Sequence, residues 1–593
     1  MNQSRYIIGI DLGTTNCVVS YIDNTSSDKV PKILPIPQIT QAGVVGNKDT
    51  LPSYIYIPTE SELTQGGLSL PWDEQVKYVT GIYAMERGAQ VPNRLISSSK
   101  SWLCHPNIDK TKPILPWNAA DDSIKISPVY AASALLKHIK MAWNSQFPDN
   151  LLEVQDVFIT VPASFDTVAR ELTVTAAKVA GIIDHILLEE PTSAFYAWLA
   201  SIGDSWRNNA VLGDIIIVID IGGGTSDFSL IEVAQEKGDL ILNRIAIGEH
   251  LLLGGDNMDI TLAYALNAKF IKKGIKLTSS QMLELIHNCR SAKEKLLSNP
   301  DIKSLPVTVL GTGRSVIGGS IQSTLEYSEI EEIILNGFFP NCNIGDMPAE
   351  KSASGFKELG LHYAGDPAIT KHISKFLTRH AAPNTKFIRP TKVLFNGGVT
   401  KSKAICNRIM EILNSWLTPE IAAHIIGNDP DKAVAIGASY YGLVKNGQGI
   451  RIRGGTARTY YIGIETSMPA VPGMTPPIKA LTVASFGMEE GTDIKIKGQQ
   501  FGLVVGENAV FRFLSSTVRK ADTTGTILED WVDEEITEHD PLEVTLTAEN
   551  ITSGTIVPVT LHSFLTEIGI LELWAETIDG KYKWKLEFNL RKE

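Results

Sequence analysis

Two apolar runs, each followed by a glycine-rich loop, form the clearest pattern of hydrophobic and polar positions along the chain. The first run, YII at residues 6–8, leads into IDLGTTN at residues 10–16. The second, IIIVI at residues 215–219, leads into DIGGGTSD at residues 220–227. A further apolar segment follows each loop, at residues 17–19 and 228–231. The pattern predicts the same strand, loop and strand in both places.

The loop residues are of the types that bind phosphate. Glycine lets the backbone turn sharply and brings its N–H groups close to a phosphate, where a Cβ would intrude. The loop hydroxyl groups add donors, and the carboxylates of Asp11 and Asp220 at the strand ends are placed to hold Mg²⁺ or its waters. Gly-Thr and Gly-Gly are also ordinary hairpin turns. Two copies in the same order favour a duplicated domain that closes on one nucleotide.

Composition and charge narrow the class of protein. The chain has 593 residues, 43% hydrophobic and 20% charged, as expected of a large globular protein. Its net charge of −12 argues against nucleic acid or an anionic membrane as the main partner. No apolar stretch reaches the length of a membrane span, and the first apolar run is too short for a signal peptide. The scattered cysteines fit a reduced compartment, which predicts a cytoplasmic protein.

Further motifs give a resemblance to a known family. With the two loops, the chain resembles the actin–hexokinase–heat-shock ATPase superfamily and, within it, the DnaK-type heat-shock chaperones. The resemblance extends over about residues 5–445. The segment VFITVPASF is interpreted as a buried strand, followed by a helix over about residues 166–180 that ends at Gly181. The matching motifs are VFITVPASF at 157–165, LEEPTSA at 188–194, GGDNMD at 254–259, CRSAK at 289–293, VLFNGGV at 393–399 and DPDKAVA at 429–435.

The resemblance implies an α/β fold with two duplicated actin-like ATPase lobes (ribonuclease-H-like) in residues 1–445, and ATP or ADP with Mg²⁺ as cofactors. It implies slow, Mg-dependent ATP hydrolysis. Pro162 and Arg170 match a family pair that relays the nucleotide state. The implied catalytic residues are Lys100, Glu190, Asp220, Thr225 and Asp227, and the implied metal ligands are Asp11 and Asp220. The implied nucleotide-binding residues are Gly13, Thr14, Thr15, Asn16, Gly222, Gly223, Gly224, Thr225, Gly254, Gly255, Lys293, Gly397, Gly398 and Asp431.

Departures from the family pattern predict altered contacts. The family arginine after the adenine-site lysine is Glu294 here, and the usual serine and arginine of the last adenosine loop are Val399 and Lys401. These changes predict weaker nucleotide binding. The family residues read by J-domain cochaperones are replaced by Ile186 and Glu189. We therefore expect an atypical J-domain cochaperone or none, with Glu189 attracting a basic helix to some extent. The segment 311–390 is interpreted as an enlarged loop of the second lobe.

The C-terminal region predicts a second kind of domain. Residues 446–458 are interpreted as a flexible, basic linker and residues 459–593 as an antiparallel β-sandwich. The start of the latter, YYIGIET at 460–466, resembles the opening of the family's peptide-binding β-sandwich. No long polar helical segment follows, so we expect the helical lid to be missing. Extended peptides would bind beside a strand; the alternative is a β module for one fixed partner. The predicted strands are 480–485, 502–505, 510–514, 542–547, 556–562, 569–576 and 582–588, the last two joined by a hairpin at Asp579-Gly580.

Three classes of function remain open from the sequence. The first is an ATP-hydrolysing chaperone-like protein with an unfolded or specific client polypeptide, and with a nucleotide-exchange factor as a further partner. The second is a sugar or acetate kinase of the same superfamily, which would leave Pro162 and Glu190 unexplained. The third is an actin-like filament protein, which the C-terminal β region disfavours. An ATPase assay with and without unfolded peptide and candidate sugars separates these classes.

Overall fold

The chain forms two compact units. One contains residues 1–240 and 245–451, and the other contains residues 241–244 and 452–593. The division at residue 451 lies inside the segment interpreted as a linker. The computed structural model describes residues 4–74, 76–105, 108–117, 119, 124–163, 165–236, 239–249, 251–299, 301–311, 320–349, 364–381, 385–456, 458–466, 478–516, 518–532, 535–549 and 551–590.

Two sheets of the same design lie in the first unit. In the first sheet, Tyr6–Leu12 pairs in parallel with Asp156–Val161 and antiparallel with Asn16–Asp23. In the second sheet, Ile215–Ile221 pairs in parallel with Lys392–Asn396 and antiparallel with Ser226–Glu236. The repeated pattern is the duplication expected from the two loops. The remaining strands are Ile186–Glu189, Lys32–Ile33 and Leu51–Pro52 in the first sheet, and Ala423–Ile425 and Asp239–Ile247 in the second.

Helices pack on both sheets. Pro128–Gln146 begins at the N-cap Ser127, and Thr167–Val179 begins at Asp166, whose side chain accepts the Ala169 N–H. Gly181 lies just beyond the latter with φ 83°, as the predicted helix end requires. The other helices are Glu60–Gln65, Ile82–Gln90, Ser99–Leu103, Glu190–Ile202, Trp206–Asn209, Gly255–Lys272, Ser279–Ser298, Tyr327–Ile330, Ile369–Arg379, Lys403–Leu417 and Ala433–Lys445.

Two helices of the first unit contact each other through their backbones. One is Glu190–Ile202, which starts at the end of a strand of the first sheet, and the other is Ala433–Lys445. A Cβ on Gly437 would lie 1.7 Å from the Ser193 carbonyl oxygen. Only glycine permits this approach, so the contact helps to position the helix that begins with Glu190.

Small sheets complete the first unit. They are Ile36–Gln41 with Val44–Lys48, Ile55–Tyr56 with Val79–Thr80 and Leu95–Ile96, and Ser304–Val309 with Ile321–Glu326. The second strand of the last hairpin lies within the segment 311–390, and so do the helices Tyr327–Ile330 and Ile369–Arg379. The interpretation of this segment as one enlarged loop is wrong for these parts, because their apolar side chains, such as Ile330 and Ile373, join the apolar core. Residues 312–319, 350–363 and 382–384 of the segment lie outside the described residues.

The second unit consists of antiparallel strands. One sheet has the order Ile527–Leu528, Ile478–Ala484, Thr459–Glu465, Phe513–Ser516, Thr537–Glu538. The other sheet has the order Thr492–Lys495, Thr555–Leu565, Ile570–Thr577, Lys583–Asn589. A further strand, Phe501–Val505, also pairs with Thr555–Leu565. Side chains of both sheets share one apolar cluster, which includes Ile462 and Leu481 of the first and Leu561 and Leu586 of the second. Leu242 and Asn243 pair in parallel with Ile452 and Arg453.

The predicted strand over 510–514 is wrong in its bounds. Two strands occupy it, Asn508–Phe511 and Phe513–Ser516, separated at Arg512. The first pairs with Leu542–Thr545 and the second with Thr459–Glu465. Arg512 interrupts the apolar run, but one polar residue between apolar ones is also the alternation expected within a single strand, so the pattern alone does not locate the change of partner.

Candidate functional site

The two glycine-rich loops face each other in the first unit. A Cβ on Gly223 would lie 2.2 Å from Thr15 Oγ1, and one on Gly224 would lie 2.9 Å from Thr14 Cγ2. Within the first loop, a Cβ on Gly13 would lie 2.2 Å from a backbone oxygen. These contacts are too short for any larger residue, so glycine is required for the loops to approach each other. Thr14, Thr15 and Thr225 of the two loops line the cavity beside them.

A cavity of about 610 Å³ opens at the loops, a size typical of small-molecule sites. The structure brings most of the predicted site residues to its wall: Asp11, Gly13, Thr14, Thr15, Asn16, Lys100, Glu190, Asp220, Gly222, Gly223, Thr225, Gly255, Lys293, Gly397, Gly398 and Asp431. Gly224, Gly254 and Asp227 lie beside the cavity rather than in its lining; Asp227 is buried at 3% exposure. The roles assigned to all of these residues stay predictions.

Lys100 is the cation at the loop end of this cavity. It lies in the short helix Ser99–Leu103, is 5% exposed and forms an ion pair with Glu190. Burial alone would lower the pKa of Lys100, but the neighbouring carboxylates of Glu190 and Asp11 raise it above its usual value. The ammonium group therefore stays charged at the place where the two glycine-rich loops meet.

Buried carboxylates surround that ammonium group. Burial, and next the nearby Glu190 carboxylate, raise the pKa of Asp11 to about 7. The same two causes raise the pKa of Asp220 well above its usual value. Burial also raises the pKa of Glu190. So many acidic groups in one cavity favour either protons or a bound cation.

A neighbouring strand supports each strand-end carboxylate. Thr160, opposite Asp11 in the first sheet, donates its hydroxyl to Asp11 Oδ1 at 3.2 Å. Asn396, opposite Asp220 in the second sheet, donates Nδ2 to Asp220 Oδ2 at 2.8 Å. The sequence analysis assigned no role to these two residues. Their signal was available in the motifs, since each is the polar residue near the end of an otherwise apolar strand.

A cluster of charged side chains that the sequence analysis missed lies farther along the cavity. Arg290 donates Nε to Asp259 at 2.7 Å and also bonds to Asp256 and to the Tyr54 hydroxyl. Lys293 lies 2.7 Å from the other oxygen of Asp259. The partners of Arg290 are as much as 236 positions apart from it in sequence, so local spacing gave no indication of the cluster. Lys293, predicted to contact the nucleoside, is held within it.

The departures from the family pattern cluster at the same part of the cavity. Glu294, Val399 and Lys401 all line it. Lys401 forms an ion pair with Asp431, so these two side chains hold each other. The expectation of weaker nucleotide binding stays a prediction.

The buried arginine next to the site corrects one expectation. Arg170 donates to the Ala163 carbonyl at 2.9 Å and to Glu189 Oε1 at 3.3 Å. Glu189 is 1% exposed, so it does not present a surface charge to a basic helix of a partner. The expectation that Glu189 attracts such a helix is wrong, because alignment to a surface residue of the family carries no information on burial. Pro162, Arg170 and Glu189 lie in one buried region next to Glu190.

Metal ligands and membrane spans also bear on the nature of the site. Over the described part of the chain, no group of three or more His, Cys, Asp or Glu side chains is arranged to hold a metal ion by itself. Mg²⁺ commonly takes only one or two carboxylates together with waters and the phosphates of its substrate, so the residues present fit a nucleotide-bound cation. Within the same described residues, no helix has the length and apolar character to cross a membrane.

Comparison with known proteins shows what this chain is similar to. A family model described as Hsp70 protein matches residues 92–338. The chaperone protein DnaK of Carsonella ruddii is 27% identical over 429 residues, which are 70% of this chain and 65% of that protein. The chaperone protein HscA homolog of Polynucleobacter necessarius is 31% identical over 307 residues, 50% of this chain and 43% of that protein. The DnaK of Stenotrophomonas maltophilia is 26% identical over 431 residues, covering 70% and 62%.

The family model therefore matches the part of the chain that contains Lys100, Glu190 and the second loop, and the resemblance to DnaK-type chaperones is confirmed. More particularly, the chain is similar to both the DnaK and the HscA branches of curated chaperones. It spans less than two thirds of the length of each of these relatives.

Proposed function

We propose that this protein binds ATP together with Mg²⁺, hydrolyses it slowly, and uses the nucleotide state to control binding of a polypeptide by its C-terminal β unit. The observation that carries the proposal is the pair of glycine loops that face each other across one cavity, with Lys100 buried beside the carboxylates of Glu190 and Asp11. This arrangement suits a polyphosphate, since amides, hydroxyls and a charged lysine converge on one place. The DnaK and HscA relatives support the same chemistry.

Each group has a role that follows from its position. The loop amides and the hydroxyls of Thr14, Thr15 and Thr225 would donate to phosphate oxygens. Asp11 and Asp220 would hold Mg²⁺ or its waters, and the bound ion would supply charge neutralisation for the phosphates. Lys100 would stabilise the charge that develops on the transferred group, held in place by Glu190. Thr225 and Asp227 would orient the attacking water.

The proposal assigns the C-terminal unit to polypeptide binding. Its two antiparallel sheets with a shared apolar core support a β-sandwich. An extended peptide would add beside a strand at the edge of such a sheet. A client polypeptide and a nucleotide-exchange factor are the partners proposed, in a cytoplasmic protein. Stimulation by a generic J-domain cochaperone is expected to be weak. Ile186 supplies no donor where the family has an arginine, and Glu189 is buried.

The test uses the purified full chain. ATP hydrolysis is measured with Mg²⁺ and with EDTA, in the presence and absence of an unfolded peptide and of a panel of sugars and acetate. The proposal expects slow release of phosphate that needs Mg²⁺ and that changes when peptide is added. Phosphate transfer to a sugar or to acetate would instead assign the chain to the kinases. Nucleotide binding without hydrolysis under any condition would contradict the enzyme activity.

A further inference from the structure

The amide of Asn396 is the most unusual polar group in the cavity wall. It lies near the end of the strand Lys392–Asn396, it is 1% exposed, and it lines the cavity. Its Nδ2 donates to Asp220 Oδ2 at 2.8 Å. Its Oδ1 is buried without a hydrogen-bond partner among the described residues. The preceding residues of the strand are mostly apolar.

Stability alone does not account for an asparagine here. A buried carbonyl oxygen without a partner is unfavourable, so an apolar side chain of the same volume would suit the core better. Buried polar groups that break this rule are concentrated at functional sites. The Asn396 side chain donates its hydrogen bond to Asp220, a carboxylate whose position the proposed chemistry needs.

The loop that follows Asn396 also closes against the Asp220 carboxylate. A Cβ on Gly397, the residue after Asn396, would lie 2.6 Å from Asp220 Oδ1. The backbone of the Gly397 loop therefore closes against one oxygen, and the Asn396 amide holds the other. The equivalent position of the first sheet is Thr160, whose bond to Asp11 is longer at 3.2 Å. The duplication thus gives each strand-end carboxylate a supporting side chain, and the stronger support is on Asp220.

We propose that Asn396 is a positioning residue that holds the Asp220 carboxylate in the orientation needed to bind the cation that accompanies the nucleotide. The inference rests on the proposed function, because it assigns Asp220 to the cation. It predicts that loss of the amide weakens binding of the cation. Nucleotide binding measured in the absence of the cation should be unchanged. A hydrogen bond to a buried charged group has an effect of roughly tenfold on such an equilibrium.

The test compares Asn396→Leu with Thr160→Val and the unchanged full chain. Isothermal titration with ATP in EDTA measures binding without the cation, and the Mg²⁺ concentration for half-maximal ATP tightening measures the cation interaction. Electron paramagnetic resonance of Mn²⁺ counts the bound cation directly in the presence of nucleotide. For Asn396→Leu we expect a roughly tenfold higher Mg²⁺ midpoint and less bound Mn²⁺, with ATP binding in EDTA within about twofold. Thr160→Val is expected to have a smaller effect, because its bond is longer.

The outcomes separate the inference from the proposed function. If the unchanged chain shows no Mg²⁺-dependent ATP binding, the proposed function fails. If it does, and Asn396→Leu has the same Mg²⁺ midpoint and the same bound Mn²⁺, the positioning role is overturned. Equal losses of ATP binding with and without Mg²⁺ also overturn it, since they indicate a general structural role. A circular dichroism melt of each variant identifies misfolding; if Asn396→Leu is unfolded, Asn396→Ser replaces it, with the same two measurements deciding.

Discussion

A single buried lysine, Lys100, is the residue whose assigned role the structure makes most testable. Its ion pair with Glu190 lies at the loop end of the cavity, where charge would change most during phosphate transfer. A group that acts mainly in the transition state affects rate more than ground-state affinity.

Lys100→Ala is therefore expected to lower the rate of ATP hydrolysis by at least about a hundredfold, with the ATP dissociation constant within roughly threefold of the unchanged chain. Single-turnover hydrolysis and titration calorimetry measure the two quantities. Lys401→Ala is the control, since this half-exposed lysine pairs with Asp431 farther along the cavity. It should weaken binding without the same loss of rate. Parallel losses of rate and affinity in Lys100→Ala would contradict the role.

A buried histidine gives the first unit a pH-dependent stability. His138 Nδ1 accepts from Thr80 Oγ1 at 2.7 Å, and Nε2 donates to the Pro37 carbonyl at 2.9 Å. Burial lowers the pKa of His138 to about 4 from 6.5. Between these values the unfolded chain binds more protons than the folded chain, so this contribution to stability is complete above about pH 6.5 and is lost as the pH falls toward 4.

The expected loss for the first unit is about 3 kcal/mol between pH 6.5 and 4. Calorimetric unfolding of the full chain across this range measures it. His138→Gln should have a shallower pH dependence, because glutamine has no proton to gain. An unchanged pH dependence in that variant would show that other groups control acid unfolding.

At the scale of elements, the contact between the helices Glu190–Ile202 and Ala433–Lys445 is the most demanding. In Gly437→Ala, the added methyl group would meet the Ser193 carbonyl at 1.7 Å. We expect destabilisation of roughly 3 kcal/mol, although alanine favours a helix by about 1 kcal/mol over glycine. Chemical denaturation followed by circular dichroism measures it. The control is Gly248→Ala, whose Cβ would lie 3.4 Å from its nearest neighbour; equal effects of the two changes would refute the packing argument.

Some secondary-structure elements could be predicted from the sequence, whereas contacts between distant residues could not. The two strand–loop–strand repeats were predictable because a strand ending in an acidic residue and glycines is a strong local signal. So was the helix after Asp166, with its capping residue and Gly181. The ion cluster of Arg290, Asp256 and Tyr54 was not, because its members meet only after the chain has folded. The prediction that Glu189 is exposed at the surface was wrong for the same reason, because the exposure of a side chain depends on the residues that pack over it.

At the scale of the whole molecule, the proposed coupling predicts a change in the linker. If nucleotide state controls the C-terminal unit, the cleavage rate within residues 446–458 should differ severalfold between the apo, ADP and ATP states. Limited proteolysis with mass spectrometry of the products measures it. Arg170→Ala, which removes the bonds to Ala163 and Glu189, should reduce the difference. The same digestion pattern in all three states would leave an ATPase joined to an independent β unit.

The matched supports of Asp11 and Asp220 have a consequence for the origin of the site. Each half of the first unit contributes one loop and one carboxylate, which is the arrangement that two identical subunits would make across a two-fold axis. Two identical subunits related by a two-fold axis would place the same side chain beside both carboxylates. In a single chain the two halves can differ, and here Thr160 contacts Asp11 whereas Asn396 contacts Asp220. Under the proposed function, a nucleotide, which has no two-fold symmetry, would meet Lys100 from one half and Arg290 from the other.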